Sequence, residues 1–412
     1  MNHSFPPWPC YSSEEISAVE KVLSTNKVNY WTGDECRLFE GEFANWVGVK
    51  HAVSLANGTV ALDLALKALG IGVGDEVVVT PRSFIASVSC VLNAGATPVF
   101  ADVDLDTGNV TAKTIADKLS SKTKAIICVH LAGWPCDMDE IMALAEKHDL
   151  KVIEDCAQAH GAIYKGRMVG SIGHIGAWSF CQDKIMTTGG EGGMVTTNDK
   201  ALWKTMWSFK DHGKNFDTVY KKDHPVGFRW LHESIGTNWR MMEMQAAIGR
   251  IQLRKMSEWT ALRNRNAKIL ISALNSLSIV RAPSCHCEGC ANLSPGSLTQ
   301  VLVNQDCQQG CVHAYYKLYV YVNPTQLSDG WSRDKIIEEI VGCGIPCGSG
   351  SCSEIYLEKA FDGLVCRPNS RLPNAKQLGE TAIMFMVHPT ITAEQMKAYA
   401  VKIHEIFTRA SK

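Results

Sequence analysis

The sequence predicts an α/β protein built on a mainly parallel sheet. From residue 52 onwards, short apolar runs alternate with segments of helical spacing, and small or polar residues follow the runs. Buried strands that alternate with helices are typical of a parallel sheet covered on both faces. In such a sheet, ligands bind beyond the carboxyl ends of the strands. The residues that follow the apolar runs are therefore the candidate functional residues.

Length and composition fit two subdomains. The chain has 412 residues, of which 46% are hydrophobic and 20% charged, enough for a large core. The alternation stops near residue 255, and a long predicted helix leads to Leu274. We expect residues 26–255 to form a large α/β domain and residues 256–412 a smaller C-terminal α/β domain, with residues 1–25 packed on the smaller one.

Charge and hydropathy argue against two classes of partner. The net charge is −1, from 41 basic and 42 acidic residues, and this balance does not favour nucleic acid. No apolar run reaches the roughly 18 residues that a spanning helix needs. The first residues lack a charged segment followed by an apolar core, so they do not form a secretory signal. We expect a cytoplasmic protein that binds neither nucleic acid nor membrane.

The predicted elements begin with a helix over residues 12–23, whose Ser-Ser-Glu-Glu start is typical of a capped first turn. Asn57-Gly58-Thr59 then follows the first predicted strand and opens a helix to Leu69. Free amides and the helix dipole favour an anion at such a helix start. Asn57 also suits the N-cap position, and both interpretations are compatible. Further predicted strands cover residues 76–79, 98–100, 125–129 and 152–153.

The stretch over residues 177–197 is the most informative. A strand-like segment leads past Lys184 into a turn with glycine at positions 189, 190, 192 and 193, and a second strand follows. Lys184 lies beside Ile185 and Met186, and desolvation of an amine favours its use as a nucleophile. The glycines allow the backbone to approach a bound group closely.

Asp155 ends a hydrophobic strand upstream of this stretch. A buried carboxylate is costly unless it has a cationic partner, and a protonated pyridine nitrogen would serve. A nucleophilic lysine together with a carboxylate that faces a pyridinium is what a protein supplies to pyridoxal phosphate.

The motifs resemble the DegT/DnrJ/EryC1/StrS family of sugar aminotransferases. They are S-F-x-x-x-K-x-x-x-x-G-x-E-G-G from Ser179 and E-D-C-A-Q-A-H-G from Glu154, with further matches at residues 30–33, 57–59, 74–77 and 238–241. The resemblance covers most of the chain. It implies pyridoxal 5′-phosphate as cofactor and the aspartate-aminotransferase-like fold, known as fold type I.

The resemblance also implies roles for individual residues. Lys184 would hold the cofactor covalently and act as general base, and Asp155 would keep the pyridine nitrogen protonated. The other implied contacts are Gly58, Thr59 and Ser179 to the phosphate, Phe84 stacked on the ring, and Gln158 on the other face or the ring hydroxyl, with His160 close by. Asn238 would reach the phosphate in the partner subunit's site, which makes the active unit a homodimer.

By the same resemblance, the substrates are an amino-acid donor, L-glutamate or L-glutamine, and a nucleotide-linked 3-keto or 4-keto deoxyhexose. A keto-cyclitol of the scyllo-inosose type is the alternative acceptor. A non-catalytic regulatory protein that binds the cofactor is a more distant alternative.

Two departures from the family pattern leave the identity of the sugar open. Lys210-Asp211-His212-Gly213 stands where relatives have Arg-Asn-His-Gly, and residues 346–353 lack the histidine or arginine that relatives carry there. The loop at Tyr30-Trp31-Thr32-Gly33 is either close to the active site or a packed aromatic turn.

The chain has 16 cysteines, which we interpret as reduced thiols because no export signal is recognised. Five of them, at positions 285, 287, 290, 307 and 311, are close in sequence. Grouped cysteines are how zinc sites are usually encoded, but this spacing fits no standard pattern. We therefore predict a loop insertion without metal.

Overall fold

A computed structural model describes residues 5–224, 226–283 and 310–412. The helices within these ranges are α1 Ser13–Ser24, α2 Glu35–Val47, α3 Gly58–Ala68, α4 Ala86–Asn93, α5 Ala112–Ala116, α6 Met138–Lys147, α7 Lys200–Lys210, α8 Phe216–Tyr220, α9 Glu243–Leu274, α10 Arg333–Gly342, α11 Pro373–Thr381 and α12 Ala393–Ala410. The strands are β1 His51–Leu55, β2 Glu76–Val79, β3 Thr97–Phe100, β4 Thr123–Val129, β5 Lys151–Asp155, β6 Ile163–Tyr164, β7 Arg167–Met168, β8 Ile175–Ser179, β9 Gly193–Thr197, β10 Val280–Arg281, β11 Leu318–Val322, β12 Cys347–Gly348 and β13 Ala382–Phe385.

A seven-stranded sheet has the order β1-β9-β8-β5-β4-β2-β3. Six strands run in one direction, and β9 alone is antiparallel to its two neighbours in this sheet. The last five residues of β4, Ala125 to Val129, are all buried, as expected for a central strand with both faces covered. The predicted α/β fold with a mainly parallel sheet is confirmed. The carboxyl ends of β1, β5 and β8 meet at one edge.

A second, four-stranded sheet has the order β10-β11-β13-β12 and is antiparallel throughout. One face of α9 packs there, and Leu270, Ile271 and Leu274 share a core with Val320 of β11 and Phe407 of α12. The sequence predicts a long helix beyond residue 255, but the structure begins α9 at Glu243. The proposed boundary at residue 255 falls inside this helix, so the division into two domains stays a prediction.

The N-terminal segment packs along α9. The Ser12 backbone amide donates to Glu15 Oε2 at 3.0 Å, which confirms the predicted cap of α1. Lys255 Nζ lies 2.6 Å from Glu15 Oε1 and ties α1 to α9. The ring of Phe5 stacks on Tyr399 of α12.

The Tyr30–Gly33 loop is a packed aromatic turn. Tyr30 is 1% exposed, and its hydroxyl accepts a hydrogen bond from Trp207 Nε1 at 3.2 Å. The Trp31 ring contacts the rings of Trp207 and Tyr220. In the part of the chain that is described, no helix is long and apolar enough to cross a membrane.

A buried carboxylate, Glu154, holds the loop between β7 and β8. Its oxygens accept hydrogen bonds from the amides of Gly170, Ile172 and Gly173 at 2.6–2.8 Å, and Glu154 Oε2 lies 3.0 Å from His130 Nε2. His130 Nδ1 accepts the Cys136 amide hydrogen, which places the imidazole proton on Nε2, toward Glu154. Both ring nitrogens are therefore engaged, and this group is structural although Cys156 lies close enough to complete a set of metal ligands.

Replacing Glu154 by glutamine is expected to lower the free energy of unfolding by about 1–3 kcal/mol at neutral pH, since the new amide group turns hydrogens toward backbone donors. Burial alone raises the pKa of Glu154, but hydrogen bonds from His130 and the Gly170 and Gly173 amides outweigh it and hold the pKa below its ordinary value of 4.5. This stabilisation is complete above pH 4.5 and is lost as the pH falls through the lower folded pKa.

Urea unfolding followed by circular dichroism checks this prediction. The matched control is Glu146→Gln, an exposed residue on the preceding helix α6. Equal stability of the two variants at neutral pH would contradict the role given to Glu154. So would an unchanged difference between parent and Glu154→Gln below pH 4.5.

Candidate active site

A cavity of about 810 Å³ opens at the carboxyl edge of the seven-stranded sheet. Residues that precede β11 or lie at the end of β13 close its opposite side, among them Tyr316, Lys317 and Met386. Seven of the eight predicted site residues line it: Gly58, Thr59, Phe84, Asp155, Gln158, Ser179 and Lys184. The eighth, Asn238, is not among the described residues that line the cavity.

The start of α3 forms an anion cradle at one end of the cavity. Asn57 Oδ1 accepts the Val60 amide hydrogen at 3.0 Å, which confirms the predicted N-cap. The first amides of a helix have no partner within it and favour an anion. Gly58 is required here, because a Cβ atom at this position would lie 2.5 Å from Ser179 Cβ. The turn after β1 therefore lies against the end of β8, which brings the amides of Gly58 and Thr59 close to the Ser179 hydroxyl.

Asp155 reaches the cavity from the end of β5. Its carboxylate accepts hydrogen bonds from two neutral donors, Ser87 Oγ at 2.7 Å and the Ala157 amide at 3.1 Å. Burial raises the pKa of Asp155 above its ordinary value of 3.8, and these hydrogen bonds offset only part of that effect. A cation placed in the cavity beside Asp155 would stabilise the ionised form.

Lys184 lies in the turn between β8 and β9, and its side chain is 15% exposed. Its Nζ is 3.9 Å from Asp183 Oδ1 and 5.2 Å from the centroid of the Tyr316 ring. The indole Nε1 of Trp8 donates to the carbonyl oxygen of Lys184 at 2.9 Å. The backbone of Lys184 is therefore held by a residue from the N-terminal segment.

The glycine-rich turn after Lys184 allows two backbone segments to pack closely, while the predicted approach to a bound group stays a prediction. Gly189 and Gly190 have φ values of 87° and 125°, which favour glycine. A Cβ atom on Gly193 would lie 2.2 Å from the carbonyl oxygen of Asn57. This contact brings β9 against the turn that starts α3.

Gln158, Phe84 and His160 differ in their distance from the interior of the cavity. Gln158 Oε1 accepts the Ala132 amide hydrogen at 2.9 Å, which fixes the amide group in the cavity wall. Phe84 lines the cavity and is 66% exposed. His160 is fully buried behind the wall, between Trp178 and Phe180, and burial lowers its pKa to about 3.

Asn238 belongs to a loop that is anchored by charged groups. Its backbone pairs with that of Asp211, and the Asp211 carboxylate binds Arg240 at 2.9 Å and Lys214 at 3.0 Å. Lys210 is completely buried, with Nζ 3.7 Å from Glu40 Oε1. In this chain Asp211 therefore holds the Asn238 loop through its backbone and carboxylate, and the backbone carbonyl of Lys210 accepts the Trp239 amide hydrogen at 3.1 Å.

Several residues of this site were not found by sequence reasoning. Ser87 carries a sequence signal, since it lies one helical turn after Phe84. Trp8 carries none, because it is 176 residues from Lys184. Of the predicted cysteine group, Cys285, Cys287, Cys290 and Cys307 lie outside the described residues, and Cys311 Sγ accepts a hydrogen bond from the Lys165 amide at 3.4 Å.

The donor set fits pyridoxal phosphate. The cradle at Gly58 suits a phosphate, the buried Asp155 suits a protonated ring nitrogen, and Lys184 supplies the amine for the covalent link. All three lie on one cavity.

Comparison with known proteins agrees with this assignment. An aminotransferase of known structure from Psychrobacter cryohalolentis is 60% identical and superimposes with a TM-score of 0.91, over 98% of this chain and 99% of that one. GDP-perosamine synthase from Escherichia coli O157:H7 is 42% identical over 67% of this chain and 72% of its own. L-glutamine:2-deoxy-scyllo-inosose aminotransferase from Streptoalloteichus tenebrarius is 37% identical over 66% of this chain and 65% of its own.

The family model described as the DegT/DnrJ/EryC1/StrS aminotransferase family matches residues 9–403. Together with the cavity and its donor set, this match identifies the chain as a member of the DegT/DnrJ/EryC1/StrS family of pyridoxal-phosphate-dependent aminotransferases.

Proposed function

We propose that this enzyme transfers the amino group of L-glutamate or L-glutamine to a nucleotide-linked keto sugar. The observation that carries the proposal is the placement of Lys184, Asp155 and the α3 anion cradle on one cavity. The volume of about 810 Å³ leaves room for a substrate larger than an amino acid. The similarity to GDP-perosamine synthase supports a nucleotide sugar as that substrate.

Each residue has a task in this reaction. Bound pyridoxal phosphate supplies an electron-withdrawing ring that accepts the electron pair released at the substrate carbon. Lys184 Nζ holds the cofactor and then moves the proton at the donor's Cα. Asp155 holds the proton on the pyridine nitrogen, which is electrostatic stabilisation aimed at developing charge. Gly58, Thr59 and Ser179 bind the phosphate, Phe84 stacks on the ring, and Gln158 orients it.

Two alternatives follow from the same site. A keto-cyclitol acceptor is supported by the similarity to the 2-deoxy-scyllo-inosose aminotransferase, which is less identical to this chain than GDP-perosamine synthase is. A regulatory protein without turnover is disfavoured, because Lys184 and Asp155 are both present on the cavity. The cytoplasmic location stays a prediction.

The active unit in this proposal is a homodimer in which Asn238 completes the partner's site. The loop that leads to Asn238 exposes large apolar side chains, since Phe228 is 75%, Trp230 84% and Ile235 90% exposed. The rings of Phe228 and Trp230 contact each other with centroids 4.8 Å apart, and a contiguous exposed apolar patch is typical of an interaction surface. In a two-fold dimer the contact is reciprocal, so each subunit lends its asparagine to its neighbour.

The test of the substrate is transamination by the enzyme in its pyridoxamine form. A panel of UDP-, GDP- and dTDP-linked keto sugars and scyllo-inosose is mixed with the enzyme, and amino products are measured by mass spectrometry. We expect an amino sugar from at least one nucleotide-linked substrate, and no turnover by Lys184→Ala. Product from the inosose alone would favour the cyclitol alternative, and no product from any acceptor would contradict both.

Asp155→Asn is expected to bind the cofactor but to lose about a hundredfold to a thousandfold in rate, equivalent to roughly 3–4 kcal/mol. The physical reason is that a neutral amide no longer favours the proton on the ring nitrogen. Stopped-flow absorbance of the half-reaction with L-glutamate measures the rate. The control is Asp149→Asn, an exposed carboxylate just before the same strand. An Asp155→Asn rate within a few-fold of the parent would exclude this role.

Mixed dimers test the contribution of Asn238. If the asparagine acts across the interface, a dimer of one Lys184→Ala chain and one Asn238→Ala chain has one intact site and one site with both changes. Heterodimers purified by two affinity tags are therefore expected to exceed the mean activity of the two parent homodimers. Activity no higher than that mean would show that Asn238 acts within its own chain.

A further inference from the structure

The cavity contains a second amine besides Lys184. Lys317 directly precedes β11, the strand that carries Tyr319. Both residues line the cavity. Lys317 Nζ lies 4.7 Å from the centroid of the Tyr316 ring and Lys184 Nζ lies 5.2 Å from it. The two nitrogens can therefore be no farther apart than these distances combined.

Lys317 has a weak hydrogen-bond partner. Its Nζ donates to the thioether sulfur of Met386 at 2.9 Å, and sulfur of this kind is a poor acceptor. Leu318 of β11 and Phe385 of β13 are directly opposite each other in the antiparallel sheet. Lys317, which precedes Leu318, therefore meets Met386, which follows Phe385. Among the described residues, no carboxylate lies within ion-pair distance of Lys317.

The charge on Lys317 is costly in this environment. Burial, together with the charges of Arg263 and Lys184, lowers the pKa of Lys317 to about 8, although Asp183 partly opposes this effect. A buried ammonium without a counter-ion is destabilised, and a methionine or leucine in its place would avoid that cost. The cost is explained if an anion enters the cavity during the enzyme's cycle.

The other lining residues on this side offer no charge. Gly350, Ser351, Met384 and Met386 are neutral, and Tyr319 accepts the Ser351 amide hydrogen on its hydroxyl at 2.7 Å. Within the described lining, Lys184 and Lys317 are the two basic side chains. Since Lys184 is committed to the cofactor, Lys317 is the cation left for a substrate.

We propose that Lys317 binds the anionic group of the substrate, a carboxylate or a phosphate, at the end of the cavity formed by the four-stranded sheet. This inference rests on the proposed function, in which both substrates carry an anionic group. The amino-acid donor has carboxylates, and a nucleotide-linked sugar has a diphosphate at C1. The two substrates use the cavity in turn, so one cation is available to each of them.

The test compares holoenzymes in which Lys317 is replaced by methionine or by arginine. Lys317→Met removes the charge and keeps an unbranched side chain, whereas Lys317→Arg keeps the charge. Lys335→Met is the matched control, because Lys335 Nζ lies 5.0 Å over the Trp331 ring on the exposed surface of α10. Circular dichroism and bound-cofactor absorbance verify that each variant is folded and loaded.

Two binding measurements separate the sources of the anion. Isothermal titration with glutarate, a dicarboxylate without an amine, reports on the donor. Titration with UDP, GDP and dTDP reports on the nucleotide part of the acceptor. We expect Lys317→Met to raise Kd at least tenfold for one or both classes, Lys317→Arg to restore most of the affinity, and Lys335→Met to match the parent.

An effect on glutarate alone assigns Lys317 to the carboxylate, and an effect on nucleotides alone assigns it to the phosphate. Unchanged Kd values in Lys317→Met for both classes, or no binding of either class by the parent, would overturn the inference. This outcome is distinct from failure of the proposed function. A parent enzyme that aminates a nucleotide sugar while Lys317→Met binds both probes normally keeps the function and loses the role of Lys317.

Discussion

The common direction of six strands is the constraint on which the site depends. Because β1, β5 and β8 end at the same edge, the turn at Gly58, the carboxylate of Asp155 and the hydroxyl of Ser179 converge there, although they are distant in sequence. Strand β9 runs the opposite way between β1 and β8. The start of β9, directly after the glycine-rich turn, lies against the start of α3. This contact is possible because Gly193 leaves room for the Asn57 carbonyl oxygen.

Two adjacent acidic residues on β5 have different roles, because one stabilises a loop and the other faces the cavity. Glu154 and Asp155 point to opposite faces of the sheet, since side chains alternate along a strand. Glu154 is saturated by His130 and three backbone amides, which hold its pKa low. Asp155 has two neutral donors and a raised pKa. One carboxylate therefore fixes a loop, and the other is available to a cation in the cavity.

The two ends of the cavity differ in what they offer a ligand. The parallel-sheet end provides a helix start, a hydroxyl and a carboxylate, all at or just beyond the ends of strands of the seven-stranded sheet. The opposite end provides Lys317, tyrosines and neutral small residues from the antiparallel sheet. A cofactor that stays bound suits the first end. The opposite end suits substrates that bind and dissociate. There the ammonium group of Lys317, which has only a weak hydrogen-bond partner, attracts an anion without a rigid set of further ligands.

The sequence alone determined the α/β fold, because strand and helix patterns are local, and its motifs carried the resemblance to the family, which implied seven residues that line the cavity. Strand alternation, glycine in a tight turn and an N-cap at Asn57 are properties of a few neighbouring residues. The tertiary structure decided the rest. Trp8 reaches the Lys184 carbonyl across 176 residues, and Lys317 meets Met386 through strand register. Such contacts depend on how distant segments pack, and no local pattern specifies that packing.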